Sequence, residues 1–350
     1  MSCALTFNSL ITSFIPIVTS WVSRILKLPI PAIVGEIICG IVIGQSFLKI
    51  IPNTESIPWL QFLSLFGFTY LMFLSGLEID FNFIKPKKKL SRKGVDKSKN
   101  FFHQPLIIAL IYFLLMLAVA LIFSVFLYSE GYIKNWIFMS LTLSTVSVGI
   151  VVPIIKEKNL LKTSFGQNIL ICALVADFIT MILLTAIAAV YTGELGNKTI
   201  VAFLLSALIV FATYKLHLSK FFDNIMNRIA LSFKRFSAST VQLSVRGAIA
   251  LMVSFIFLSQ MFGLEAIFGA FIAGMLATLI IGKAKSSELE MKLDAIGYGF
   301  FIPIFFITVG IDLNLSVFES NPNNWRIFLL LLFGAFCIKI IPSFVFLNKF

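Results

Sequence analysis

Apolar residues in this chain gather in windows of roughly 20, each divided from the next by a polar or basic connector. About eleven such spans can be marked, at approximately 4–24, 31–48, 57–78, 105–128, 133–155, 165–191, 199–217, 244–262, 264–282, 296–313 and 325–347. At 1.5 Å of rise per residue each is predicted to be a helix that crosses, or nearly crosses, a hydrocarbon layer. Two connectors are long. Phe81 to Gln104 holds Lys85-Pro86-Lys87-Lys88-Lys89 and further basic residues. Leu218 to Leu243 mixes Phe221, Phe222, Ile225, Ile229 and Phe233 with Lys220, Arg228, Lys234 and Arg235, a pattern that predicts an interfacial helix.

Composition agrees with the pattern. Of the 350 residues 59% are hydrophobic and only 13% are charged, too little polar surface for a water-soluble globule. The reading is an all-α polytopic membrane protein, built as one transmembrane domain over 1–350 with no soluble regulatory domain. The net charge of +12 does not point to nucleic acid. Alternating the connectors places roughly 23 of the 28 Lys and Arg on one side and about four on the other, which orients the basic side to the cytoplasm. With an odd number of spans the N-terminus lies outside and the C-terminus inside. Cys3, Cys39, Cys172 and Cys337 show no ligand spacing, and His103 and His217 pair with no acid, so neither a disulfide framework nor a metal site is expected. No phosphate loop, dinucleotide fingerprint or nucleophile elbow occurs, which disfavours an enzyme and leaves no cofactor implied.

An internal repeat is visible. Ala32-Ile33-Val34-Gly35-Glu36-Ile37-Ile38-Cys39-Gly40 matches Ala266-Ile267-Phe268-Gly269-Ala270-Phe271-Ile272-Ala273-Gly274 at an offset of 234 residues. At the same offset Gly76-Leu77-Glu78-Ile79-Asp80 matches Gly310-Ile311-Asp312-Leu313-Asn314. The copies begin at the first and eighth spans, and an odd shift inverts the second in the membrane. A first repeat of about 1–191, a linker helix of about 199–217 and a second repeat of about 244–350 result. Inverted repeats are the architecture of secondary transporters, whose sites lie near the midplane at broken helices.

Candidate chemistry lies at that depth. Asp177 sits near the middle of the run from Phe165 to Tyr191. A carboxylate there costs roughly 2.5–3.5 kcal/mol on insertion scales, and such groups usually bind an ion or carry a proton. The plainer alternative is an acid that only ties two helices together. One span earlier, hydroxyls cluster in Thr142-Leu143-Ser144-Thr145-Val146-Ser147 and are followed by Gly149 and Pro153. Unwinding near Ser144 and Thr145 would free carbonyls for a cation; an ordinary kinked helix is the alternative. Lys339 is a second charge within a span. Paired with Asp177 it would hold an empty site neutral; otherwise it snorkels to the cytoplasmic face. Glu36, one turn beyond Pro31, reads as a structural acid near the interface, paired with a loop cation, with an accessory transport role as the alternative. Glu78, Asp80 and Asp312 fall at span ends, as helix-end contacts. Gly40 and Gly44 have the spacing of close helix packing.

These residues resemble a known family. Pro31 to Gly40, Leu71-Met72-Phe73-Leu74-Ser75-Gly76-Leu77-Glu78-Ile79-Asp80, Ser144-Thr145 to Pro153, Asp177, and Phe301-Ile302-Pro303-Ile304-Phe305-Phe306 to Gly310 follow the motif order of the monovalent cation:proton antiporter-2 family, Kef-type exchangers included. The similarity covers essentially the whole chain. It implies an inverted-repeat sodium/proton antiporter fold and an integral membrane exchanger of Na⁺ or K⁺ for H⁺, acting as a homodimer with a panel domain and a mobile core domain. It implies further that Asp177 holds cation and proton in turn by alternating access, with Ser144 and Thr145 assisting and Lys339 as charge partner. Family members often carry Asp, Asn or Gln before the core acid, whereas this chain has Ala176. A lone carboxylate favours one-for-one exchange; a titrating Lys339 would make it electrogenic. The resemblance predicts 13 spans and the chain supplies about 11, so a truncated or split reading frame is the expectation. The alternatives are an inactive fragment of such an exchanger, an organic-anion symporter on a similar fold, or a cation channel.

Overall fold

The computed structural model describes residues 31–51, 57–79, 105–192, 242–261, 265–281, 283–320 and 323–346. The spans expected at 4–24 and 199–217, and the two long connectors, lie outside the described residues. All regular structure among those described is helical. In chain order the helices are α1 (Ala32–Ile43), α2 (Pro58–Leu77), α3 (Pro105–Ser129), α4 (Trp136–Ser144), α5 (Val148–Glu157) and α6 (Ser164–Thr192). There follow α7 (Leu243–Met261), α8 (Ala266–Ile281), α9 (Lys283–Ile296), a π-helical turn (Gly297–Phe301), α10 (Ile302–Asp312), α11 (Ser316–Ser320) and α12 (Asn323–Phe346). Seven of the described helices or helix pairs are long and apolar enough to cross a membrane, and α1 and α8 are shorter apolar helices. The chain is an all-α polytopic membrane protein.

Local chemistry sets several ends. Pro58 opens α2 at its first turn, where a missing N–H costs nothing. Asn135 caps α4, its Oδ1 accepting from the N–H groups of Ile137 and Phe138 at 3.1 Å each. Thr163 Oγ1 accepts from Gly166 N at 3.0 Å and starts α6. The polar helix α9 was not among the expected spans. Its Lys283-to-Ile296 stretch is built largely from good helix formers and is too polar to read as a span.

The chain divides into two compact units. Unit 1 draws on Met1–Glu78 and Ile200–Ser316, and unit 2 on Ile79–Thr199 and Val317–Phe350. In unit 1, α1 lies on α10, and α8 lies on α2 and α7. Four glycines bring these backbones together. A Cβ on Gly40 would strike the Ile307 carbonyl and come within 2.9 Å of Gly310 Cα. A Cβ on Gly274 would strike the Phe73 carbonyl and come within 3.0 Å of Gly76 Cα. Gly310 in turn faces the Ile37 carbonyl, and Gly76 faces the Phe271 carbonyl. Every residue in one set is the other's counterpart displaced by 234 positions. The expected close packing at Gly40 and Gly44 is present, Gly44 lying against the backbone of Ile311. Phe68 stacks on Phe305 with centroids 4.6 Å apart, and Tyr70 donates to the Leu293 carbonyl at 3.1 Å.

Unit 2 holds α3 to α6 and α12. Phe113, Met116 and Ala120 of α3 close over Ala176 of α6 and Ile338 of α12 to form its core. Gly334 of α12 lies against the ring of Phe123. Tyr112 of α3 donates to the Lys339 carbonyl at 3.1 Å, which ties α12 to α3.

Candidate ion-binding site

The expected interruption is in the chain between α4 and α5. Thr145 and Ser147 have extended backbone, with ψ of 150° and 112°, so three residues separate the two half-helices. The break does not fall at the proline. Pro153 lies inside α5, two turns further on. The first turn of α5 therefore exposes N–H groups within the span, and Ser147 makes no side-chain cap for them.

Asp177 supplies what Ser147 does not. Its Oδ2 accepts from the backbone N–H of Val148 at 2.8 Å, and its Oδ1 accepts from Thr145 Oγ1 at 2.9 Å. The carboxylate thus sits at the positive end of α5 and closes the break from the neighbouring helix. Hydrogen bonds to a charged group contribute about 1.5–3 kcal/mol each. Two of them, about 3–6 kcal/mol together, are enough to offset the roughly 2.5–3.5 kcal/mol cost of placing the acid at this depth. Ala176, the apolar residue before it, is fully buried in the core of unit 2.

Thr180, three residues after Asp177 on the same helix, completes the cluster. Its hydroxyl lies 3.3 Å from Thr145 Oγ1, 2.8 Å from the Ala176 carbonyl and 3.1 Å from the Asp177 carbonyl. The sequence reading passed over it, although a threonine at i+3 from an intramembrane acid shares that acid's helix face. Val148 acts through its main chain and leaves no signal in the sequence. Ser144 is buried, but its hydroxyl donates back to the Leu141 carbonyl at 3.0 Å rather than toward Asp177.

Lys339 and Asp177 share unit 2, close enough for each charge to act on the other, yet among the described residues they form no direct ion pair. The Lys339 carbonyl is held by the Tyr112 hydroxyl and, at 2.7 Å, by Ser343 Oγ. Glu36 belongs to unit 1 and is buried. Among the described residues no three His, Cys, Asp or Glu side chains are gathered as a metal-binding group.

A carboxylate on a helix end within a broken span is an arrangement met in ion-coupled transporters. Comparison with known proteins gives the family. Residues 10–350 match the model of the transmembrane sodium/hydrogen exchanger. The chain belongs to the sodium/hydrogen exchanger family, whose members are transporters and not enzymes. It is 37% identical over 317 residues to the "Putative Na(+)/H(+) antiporter YjbQ" of Bacillus subtilis (strain 168), covering 90% of this chain and 49% of that protein. It is 30% identical to the "Probable Na(+)/H(+) antiporter 3" of Methanocaldococcus jannaschii, covering 91% of this chain and 74% of that one. It is 28% identical to the "Na(+)/H(+)-K(+) antiporter GerN" of Bacillus cereus, covering 82% and 66%. The chain thus spans about half the length of the first of these relatives.

Proposed function

We propose that this chain carries the ion path of a monovalent cation:proton antiporter, exchanging Na⁺ or K⁺ for H⁺ by alternating access at Asp177. The observation that carries the reading is the double hydrogen bond of its carboxylate to Thr145 and to the N–H of Val148 at the helix break. Those donors occupy the oxygens that a dehydrated cation would take. With a cation bound, the Thr145 hydroxyl turns its lone pairs to the ion, Thr180 offers the proton that holds it there, and the charge on the carboxylate is neutralised. With a proton bound the charge is neutralised as well. Either neutral form crosses a low-dielectric barrier at less cost than the bare carboxylate, so competition for one group couples the two fluxes. Lys339 is the charge partner that acts on the carboxylate without a direct ion pair, and Ser144 contributes the shape of the α4 end.

The wider architecture in this reading is an inverted repeat of about eleven spans, with first repeat 1–191 and second repeat 244–350. The reciprocal glycine contacts of α1 with α10 and α8 with α2 support it. The protein acts as a homodimer in the plasma membrane, N-terminus outside and basic loops in the cytoplasm. Its partners are the lipid bilayer, monovalent cations and protons, and it needs no cofactor.

The test is pH-coupled exchange in everted vesicles by fluorescence dequenching with Na⁺, K⁺ and Li⁺. Asp177→Asn should abolish the signal at normal protein levels. Full retained exchange would overturn the assignment.

A further inference from the structure

Glu36 breaks the correspondence between α1 and α8. The two helices occupy matching places, one on α10 and the other on α2, with Gly40 and Gly274 against equivalent carbonyls. The match continues one turn on, where Gly44 meets the Ile311 backbone and Thr278 Oγ1 donates to the Leu77 carbonyl at 2.9 Å. One turn before the shared glycine stands Glu36 on α1 and Ala270 on α8. Both are buried, at 8% and 0% exposure. A methyl group therefore suffices to fill this position, and the carboxyl is not there for packing.

Nor do the described residues give the carboxyl a structural partner. Among the described residues Glu36 accepts no hydrogen bond and joins no ion pair, and Cys39 is the other titratable group on its helix. On α10, the titratable residue is Asp312, at the far end beside Gln45, whose Nε2 donates to the Asp312 carbonyl at 3.0 Å. On α2, which shares a core with Ile43 of α1, it is Tyr70, whose hydroxyl is committed to Leu293. None of these is a cation. A carboxyl that is largely buried, with no partner among the described residues, is costly to keep ionised. A metal cation would need several oxygen ligands, and the buried face around Glu36 presents Ile33, Gly40 and Ile43. A proton needs one oxygen.

We infer that Glu36 is a second, reversible proton-binding site, placed in unit 1 and separate from Asp177, which governs how exchange responds to pH without holding the transported ion. The link to exchange rests on the function proposed above; the protonation itself does not.

The full chain is reconstituted in proteoliposomes as the parent, Glu36→Gln, Glu36→Ala, Asp177→Asn, and Asp177→Asn combined with Glu36→Gln. Infrared difference spectra across a pH titration read buried protonated carboxyls directly. The parent should show a titrating carboxylic C=O band that persists in Asp177→Asn and vanishes when Glu36→Gln is combined with it. Glu36→Ala places on α1 what α8 already accommodates, so it controls for folding. In exchange assays both Glu36 variants should move the pH of half-maximal rate by about one unit, a tenfold change in proton concentration. Absence of that band from Asp177→Asn, or its survival in Asp177→Asn combined with Glu36→Gln, overturns the site. An unshifted pH profile in both variants overturns its control of exchange. Exchange that persists in Asp177→Asn would instead count against the Asp177 mechanism, while the infrared band still decides Glu36.

Discussion

The backbone N–H of Val148 donates to Oδ2 of Asp177 across 2.8 Å, so a side chain on α6 caps a helix to which it does not belong. The acid that binds the ion in the proposed mechanism is thereby also the group that keeps α5 started in the middle of a span. Its replacements should separate the two tasks. Asn keeps an acceptor for Val148, whereas Ala does not. Asp177→Ala is expected to be less stable than Asp177→Asn by about 1–2 kcal/mol, although neither exchanges ions. Thermal midpoints in detergent, read by fluorescence-detected gel filtration, check this; equal midpoints would show that the cap contributes nothing.

Thr145 donates to the same carboxylate and is itself contacted by Thr180. Thr145→Val removes an oxygen from the cation's surroundings and should raise the apparent KM for Na⁺ or K⁺ by about tenfold, the scale of one hydrogen bond to a charged group. Thr145→Ser should restore most of it. Thr180→Val acts one step further out and should cost less. The order of the three variants in ion titrations of exchange is the measurement, and a Thr180 effect larger than that of Thr145 would refute the proposed arrangement.

A single carboxylate shared by two ligands imposes a sign on the pH response. Protons compete with the cation, so the apparent KM for the cation should rise as pH falls. On the acid side it should approach about tenfold per pH unit, and on the alkaline side it should flatten. Saturating cation should recover the rate. Initial exchange rates over a grid of pH and cation concentration test this. A KM that ignores pH would mean that proton and cation use different groups.

The glycine contacts of unit 1 predict matched mutational costs. Gly40→Ala and Gly274→Ala each push a methyl group into a facing carbonyl, at Ile307 and Phe73 respectively. Each should destabilise by about 1–3 kcal/mol, the usual penalty of overpacking, and by similar amounts. Gly299→Ala, where an added Cβ meets nothing within 4 Å, is the control and should change little. Thermal shifts of purified variants decide it, and a large difference between Gly40 and Gly274 would break the equivalence of the two crossings.

Much of the helical frame was legible in the chain. The runs marked at 57–78, 105–128, 165–191, 244–262 and 325–347 coincide with α2, α3, α6, α7 and α12 to within two residues at each end. An uninterrupted apolar window of this length has no other way to satisfy its backbone in lipid. The break in the fifth span was legible as well, from its hydroxyls, glycine and proline, and so was its position near Ser144 and Thr145; what holds it open was not. It falls at Thr145 to Ser147, and a helix can stop inside a span only where something accepts its exposed N–H groups. That acceptor is Asp177, 29 residues after Val148 in the sequence.

Hydropathy and composition determined by themselves that the chain is a helical membrane protein, and marked Asp177 as a charge that is costly where it stands. Each of these is a property of composition or spacing, and the cost of a bare charge in hydrocarbon does not depend on which helix stands beside it. The tertiary structure alone decided that Val148 and Thr145 meet that acid, that Ser144 turns back to Leu141, and that Gly40 and Gly274 lie on carbonyls of distant helices. Hydrogen bonds and close backbone contacts are short-ranged and directional, so they exist only once the packing has chosen which residues, far apart in the chain, come within about 3 Å of each other.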